Sequence, residues 1–94
     1  MKGSPYRKRY VLIEFSEMKS ADYLSMECRR IFNTREKFRD SSFIIIKSDQ
    51  FLKDQLCTFV EQRIKGVKII TVSGTIKKCK RKMTTLIDEH LQII

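Results

Sequence analysis

The chain has 94 residues and a formal net charge of +9, from 20 Lys and Arg against 11 Asp and Glu; 41% of its residues are hydrophobic and 10% aromatic, with three glycines and one proline. A single domain of that size buries about 60 to 65 per cent of the surface its unfolded chain exposes, which leaves little room for a deep enzyme cleft beside a core, and the composition excludes a disordered tail. No apolar run approaches the roughly 20 residues of a spanning helix, and no signal-peptide pattern precedes the first predicted strand, so no membrane partner is expected.

Residues 1–8 read as a flexible basic arm whose first part, Met1 to Pro5, is short and polar. Tyr10 to Phe15 is an apolar, β-favouring run in which Val11, Ile13 and Phe15 share one face at the two-residue period, which predicts the first strand. Ser20 suits a helix cap, and Leu24, Cys28, Ile31 and Phe32 then follow the spacing of one buried helical stripe, with Cys28 in the core. Asn33 to Ser42 is polar and charged around Phe38, hence a loop with room for a short edge strand. Phe43 to Lys47 is apolar on both faces, as in a central strand covered by helices or by a partner, and ends at Ser48-Asp49.

Ser48 and Asp49 suit a helix start, after which Leu52, Leu56, Phe59, Val60 and Ile64 keep helical spacing up to Gly66, a left-handed stop. Cys57 lies beside that stripe. Val67 to Val72 predicts another strand, and Ser73-Gly74-Thr75 turns the chain into a last helix whose buried stripe is Ile76, Cys79, Met83, Leu86, Ile87 and Leu91. The order is strand, helix, possible edge strand, strand, helix, strand, helix, without linker or repeat: one small α+β sandwich over residues 1–94.

Charge is segregated along the chain. From Arg63 to Lys82 there are eight basic residues, Arg63, Lys65, Lys68, Lys77, Lys78, Lys80, Arg81 and Lys82, and no acidic one. Lys77 and Lys78 in the first turn of the last helix face the positive end of its dipole, which costs a few tenths to about 1 kcal/mol each unless an anion offsets it. A helix start opened by a small-residue turn and ringed by lysines is suited to a phosphate. The bland alternative is an ordinary turn capped by Ser73 or Thr75, with solvated lysines. A second basic element, Arg7-Lys8-Arg9, could follow a nucleic-acid backbone beside the rings of Tyr6 and Tyr10.

Catalytic and metal chemistry find little support. The three cysteines, Cys28, Cys57 and Cys79, cannot all pair within the chain and lack the short spacings of a zinc site, which points to a reducing, intracellular compartment. His90 is the only histidine, near the edge of the predicted core, and no spacing predicts that it meets a cysteine as a base would meet a nucleophile. Gly74 stands alone, without the glycine spacing of a nucleotide-hydrolase loop.

Two segments, Arg9-Tyr10-Val11-Leu12-Ile13-Glu14-Phe15 and Val72-Ser73-Gly74-Thr75-Ile76-Lys77-Lys78-Cys79, resemble the ribonuclease P subunit family called Pop-five in eukaryotes and protein component 2 in archaea. In that family a strand beginning Arg-Tyr opens the domain, and a strand running into Ser-Gly-Thr-Ile and basic residues closes it. The specific motifs cover about fifteen residues, while Phe43 to Ile64 fits by pattern. The resemblance implies an RNA-recognition-like or ferredoxin-like α/β sandwich of three to four strands, with a C-terminal helix after the last strand.

It also implies a noncatalytic subunit that steadies the catalytic RNA for 5′-leader removal from precursor transfer RNA, and that serves ribonuclease MRP in eukaryotes. No cofactor would sit in the protein, and Mg2+ would come with the partner RNA. A barrel-fold ribonuclease P protein would be a further partner, with Phe43 to Ile46 as a candidate contact. Residence would be nuclear or nucleolar in a eukaryote and cytoplasmic in an archaeon. The segment between the first helix and Phe43 is shorter than in archaeal relatives, which implies an abbreviated sheet.

The RNA-binding residues expected from both lines of reasoning are Arg7, Lys8, Arg9, Lys68, Ser73, Gly74, Thr75, Lys77, Lys78, Lys80, Arg81 and Lys82. The rival readings are another ribonucleoprotein component, such as a ribosomal protein, and a protein-protein adaptor with incidental charge.

Overall fold

A computed structural model describes residues 7–93, with side chains through residue 88. Tyr6, the Met1 to Pro5 segment and the side chains of His90 and Leu91 lie outside the described residues. The elements run β1 (Lys8–Phe15), α1 (Met18–Phe32), β2 (Arg35–Arg39), β3 (Phe43–Asp49), α2 (Lys53–Arg63), β4 (Val67–Ser73) and α3 (Ile76–Ile93). Four strands form one sheet in the order β2-β3-β1-β4, with every neighbouring pair antiparallel. The element order through β4 is the split β-α-β arrangement of ferredoxin-like domains, with α3 added at the end.

The alternation along β1 sorts the interior into two cores. Val11, Ile13 and Phe15 face α1 and α2, where Ala21, Leu24, Cys28, Leu56, Val60 and Ile64 meet them, joined by Ile44 and Ile46 of β3. Leu12 faces the other way with Phe43 and Ile45, and is covered by Cys79 and Met83 of α3, with Phe38 and Ile70 at the margin. The two-sided apolarity of Phe43 to Ile46 is therefore taken up within the chain: all four side chains are buried. They form no open surface for a barrel-fold protein or an adaptor's partner.

The sheet is complete rather than abbreviated. β2 is the short edge strand for which the Asn33 to Ser42 stretch left room, pairing with β3 from Arg35↔Lys47 to Arg39↔Ile44, and a bulge between Glu36 and Phe38 turns Phe38 toward α3. Its charged residues belong on an edge. The Arg39 guanidinium bonds to both Glu36 and Asp22 of α1, and the Asp40 carboxylate accepts the amide N–H groups of Ser42 and Phe43 at 2.8 and 2.7 Å to close the hairpin.

Several boundaries differ from the periodicity reading. Helix α1 starts at Met18 with an extended Glu17 before it, so Ser20 lies inside the first turn and caps nothing. Just past β1 the Ser16 N–H donates to the Gly66 carbonyl at 3.1 Å, beside the last β1–β4 pair, Phe15↔Val67. Ile31 and Ile87, placed on buried stripes by spacing, are 42% and 46% exposed. Strand β3 runs on through Ser48 to Asp49, whose carboxylate accepts the Leu52 N–H at 2.8 Å in the turn before α2. Gly66 is left-handed, with φ of 78°, but α2 has already ended at an extended Ile64, so this glycine shapes the turn into β4.

Candidate nucleic-acid interface

The β1–β4 register decides where the two basic segments meet. Tyr10 pairs with Ser73 at the end of the sheet where β1 begins and β4 stops. Lys8 belongs to β1, opposite Asp49, rather than to a free arm, and the Arg7 carbonyl accepts the Gln50 N–H at 2.9 Å. Arg9 lies directly over the turn: a Cβ on Gly74 would stand 3.4 Å from its Nη1. Its guanidinium donates to the Lys8 carbonyl at 3.1 Å and to Gln50 Oε1 at 3.4 Å, which points it along the strand ends.

The start of α3 is built on Thr75. Its Oγ1 accepts the Lys78 N–H at 3.2 Å, and its carbonyl accepts the Cys79 N–H at 3.4 Å, so Thr75 rather than Ser73 closes the first turn. The Cys79 thiol donates to the Tyr10 carbonyl at 3.5 Å and ties that turn to β1. Lys77 and Lys78 are left exposed in a first turn that holds no acidic residue. With one amide already bonded to Thr75, the side chains and the remaining amides of the turn carry its attraction for anions.

On the next turn, residues 80 and 82 flank the buried Cys79–Met83 stripe on opposite sides, and Arg81 points away from it. Lys80 Nζ sits 4.7 Å from the centre of the Phe38 ring, leaning toward β2. Lys68 stands apart from the rest: it pairs with Glu14 near the start of β4, roughly 17 Å along the strand from Ser73 at the usual rise per residue. Eleven of the twelve expected residues thus share one end of the sheet and the first turns of α3, and Lys68 does not.

The pairing adds cations that the sequence reading missed. Tyr10 pairs with Lys47 on β3, and Lys47 with Arg35 on β2, so the basic end continues across the sheet. Lys47 is held below the usual lysine pKa, chiefly by the charge of Lys8, then by burial and by Lys37 and Arg35. Each of these residues stands alone or near an acid in the sequence, so no run announces them. Only strand register gathers them.

The thiols are poor nucleophiles. Burial pushes Cys28 up to about 12 and raises Cys57 and Cys79 as well, the reverse of what an activated cysteine needs. Among the described residues no three His, Cys, Asp or Glu side chains converge on a metal position, and no helix is long and apolar enough to cross a membrane. No protein-family model matches the chain, and no curated protein or solved structure matches it.

Proposed function

We propose that this chain is a noncatalytic RNA-binding protein of a ribonucleoprotein, and that its particle is of the ribonuclease P type, on the resemblance of its Arg9–Phe15 and Val72–Cys79 segments to Pop-five. The observation that carries RNA binding is the meeting of Arg9 with the Gly74 turn, which joins two basic segments more than sixty residues apart into one surface. On this reading Arg9, Lys77 and Lys78 take phosphates, Lys80 and Arg81 extend the contact, and catalysis belongs to the RNA with its Mg2+ ions.

In RNA-recognition domains the open sheet face stacks bases on aromatic rings. Here α3 covers that face, with Leu12 and Ile45 fully buried beneath it. Recognition would then rest on phosphates at the strand ends, be strongly salt-dependent, and favour the shape of a folded RNA over its sequence.

The test is to isolate the tagged protein from its own cells in moderate salt, sequence the RNA that accompanies it, and assay 5′-leader cleavage of precursor transfer RNA. A ribonuclease P-type RNA with that activity is the expected result. Ribosomal RNA would assign the chain to a different particle, and protein free of RNA would overturn the reading in favour of an adaptor.

A further inference from the structure

At the end of the sheet where β1 begins, α3 leaves part of its own side of the sheet uncovered. Leu12 and Ile45 face α3, so by alternation Lys8 and Tyr10 of β1 and Lys47 and Asp49 of β3 lie on that face too. The pairs Arg35↔Lys47 and Phe38↔Ile45 put Arg35 and Phe38 there from β2. Helix α3 is fastened to β1 by the Cys79 thiol on the Tyr10 carbonyl and reaches toward β2 at Lys80, whose Nζ lies 4.7 Å from the centre of the Phe38 ring. Between the helix and the strand ends the open floor is a wedge over β1, β3 and β2, about 10 Å across at the usual strand spacing.

Both sides of this wedge are basic. Lys8, Lys47 and Arg35 form the floor, and Lys37 occupies the β2 bulge beside them; the charges of these neighbours help to hold Lys47 below its usual pKa. Lys77 and Lys80, three residues apart on one side of α3, form the wall. The carboxylate on the floor at this end, Asp49, already accepts the Leu52 N–H. Among the described residues none of these six cations is in a salt bridge, whereas Arg39, on the opposite face of β2, is held by Glu36 and Asp22. Six like charges beside one carboxylate repel one another, and a polyanion lying between them removes that cost.

We infer that an unpaired RNA strand lies in this wedge, its backbone running from the first turns of α3 across the ends of β1, β3 and β2. The inference rests on the RNA-binding reading and names the form of the ligand. Cations on floor and wall put donors on two sides of one backbone, the arrangement of a groove that tracks a single strand. At about 10 Å the wedge is also narrower than a duplex, of which the major groove alone spans about 12 Å in B form. A second copy of this chain, itself at +9, would add to the repulsion instead of relieving it.

The experiment uses the full chain and one RNA oligonucleotide without self-pairing, presented as a single strand or annealed to its complement. Binding is measured against salt for the natural protein, for Arg35→Gln/Lys47→Gln in the wedge, and for Arg9→Gln/Lys78→Gln outside it, each first shown to be folded by its melting curve. Loss of two phosphate contacts in the Arg35/Lys47 variant should make the log–log salt slope on the single strand shallower by about 1.4 and weaken binding about 25-fold at 0.1 M salt, with less than about a fivefold change on the duplex. Should that variant not fold, the exposed Arg35→Gln alone reads one contact, about 0.7 in slope and about fivefold in affinity. An equal loss on single strand and duplex would overturn the assignment to an unpaired strand. Unchanged affinity and slope in the wedge variant, with binding weakened in the Arg9/Lys78 variant, would overturn the wedge and leave the RNA-binding reading standing. Indifference of both variants, or no binding by the natural protein, would remove both.

Discussion

Reversing Lys77 and Lys78 to glutamate should move stability and RNA affinity in opposite directions. Both side chains are exposed in a first turn without acidic residues, and the Thr75 cap acts on the Lys78 backbone, which the substitution leaves in place. A cation at a helix start costs a few tenths to about 1 kcal/mol, and an anion there gains a similar amount, so two reversals at the low end of that range contribute about 1 kcal/mol. For a domain of this size that raises the melting temperature by roughly 4 to 8 °C. On the proposed function the same change would remove about two phosphate contacts, making the salt slope shallower by about 1.4 and weakening binding about 25-fold at 0.1 M salt. Thermal melting and an RNA titration on one preparation read both effects. Unchanged affinity would refute the placement of the helix start in the interface, and a lowered melting temperature would refute the dipole argument.

Gly66→Ala forces an alanine into φ of 78° with its Cβ 3.1 Å from Ser20 Oγ, and should cost about 1 to 2 kcal/mol in urea unfolding. Gly74→Ala, whose Cβ meets only Arg9 Nη1 at an ordinary 3.4 Å, should stay within about 0.5 kcal/mol; equal costs would contradict the distinction. The Glu36 carboxyl is held below its ordinary value of 4.5, chiefly by the Arg39 guanidinium, so its stabilisation is present above that value and is lost as pH falls through its lower folded pKa. Glu36→Gln should therefore lower the urea midpoint at neutral pH and flatten its decline in acid, and superimposable pH curves would exclude this ion pair as a contributor. A thiol reagent at neutral pH should label Cys57 first and spare Cys28 and Cys79 until the protein unfolds, because both are fully buried with raised pKa values; rapid labelling of all three in the native state would contradict that burial.

The sequence by itself determined the elements whose cause is local. Val11, Ile13 and Phe15 share a face because strand side chains alternate, Leu56 and Val60 because a helix returns after four residues, and Phe43 to Ile46 is buried on both sides because both of its faces are apolar. The turn at Gly66 and the cap region at Ser73 to Thr75 were legible from backbone preference alone, as was the charge of Arg7 to Arg9 and of Lys77 to Lys82. Tertiary structure decided the rest. β2 is held by pairing with Ile44 to Lys47 and by Arg39 reaching Asp22, partners that periodicity within Arg35–Arg39 cannot express. Ile31 and Ile87 fit the apolar spacing yet are nearly half exposed, a difference that periodicity within one helix does not express. Lys68 leaves the basic cluster, while Arg35 and Lys47 join the basic end, because register and the bulges in β2 and β4 determine which side chains become neighbours. A strand pairing is a relation between distant segments, and no window along the chain contains it.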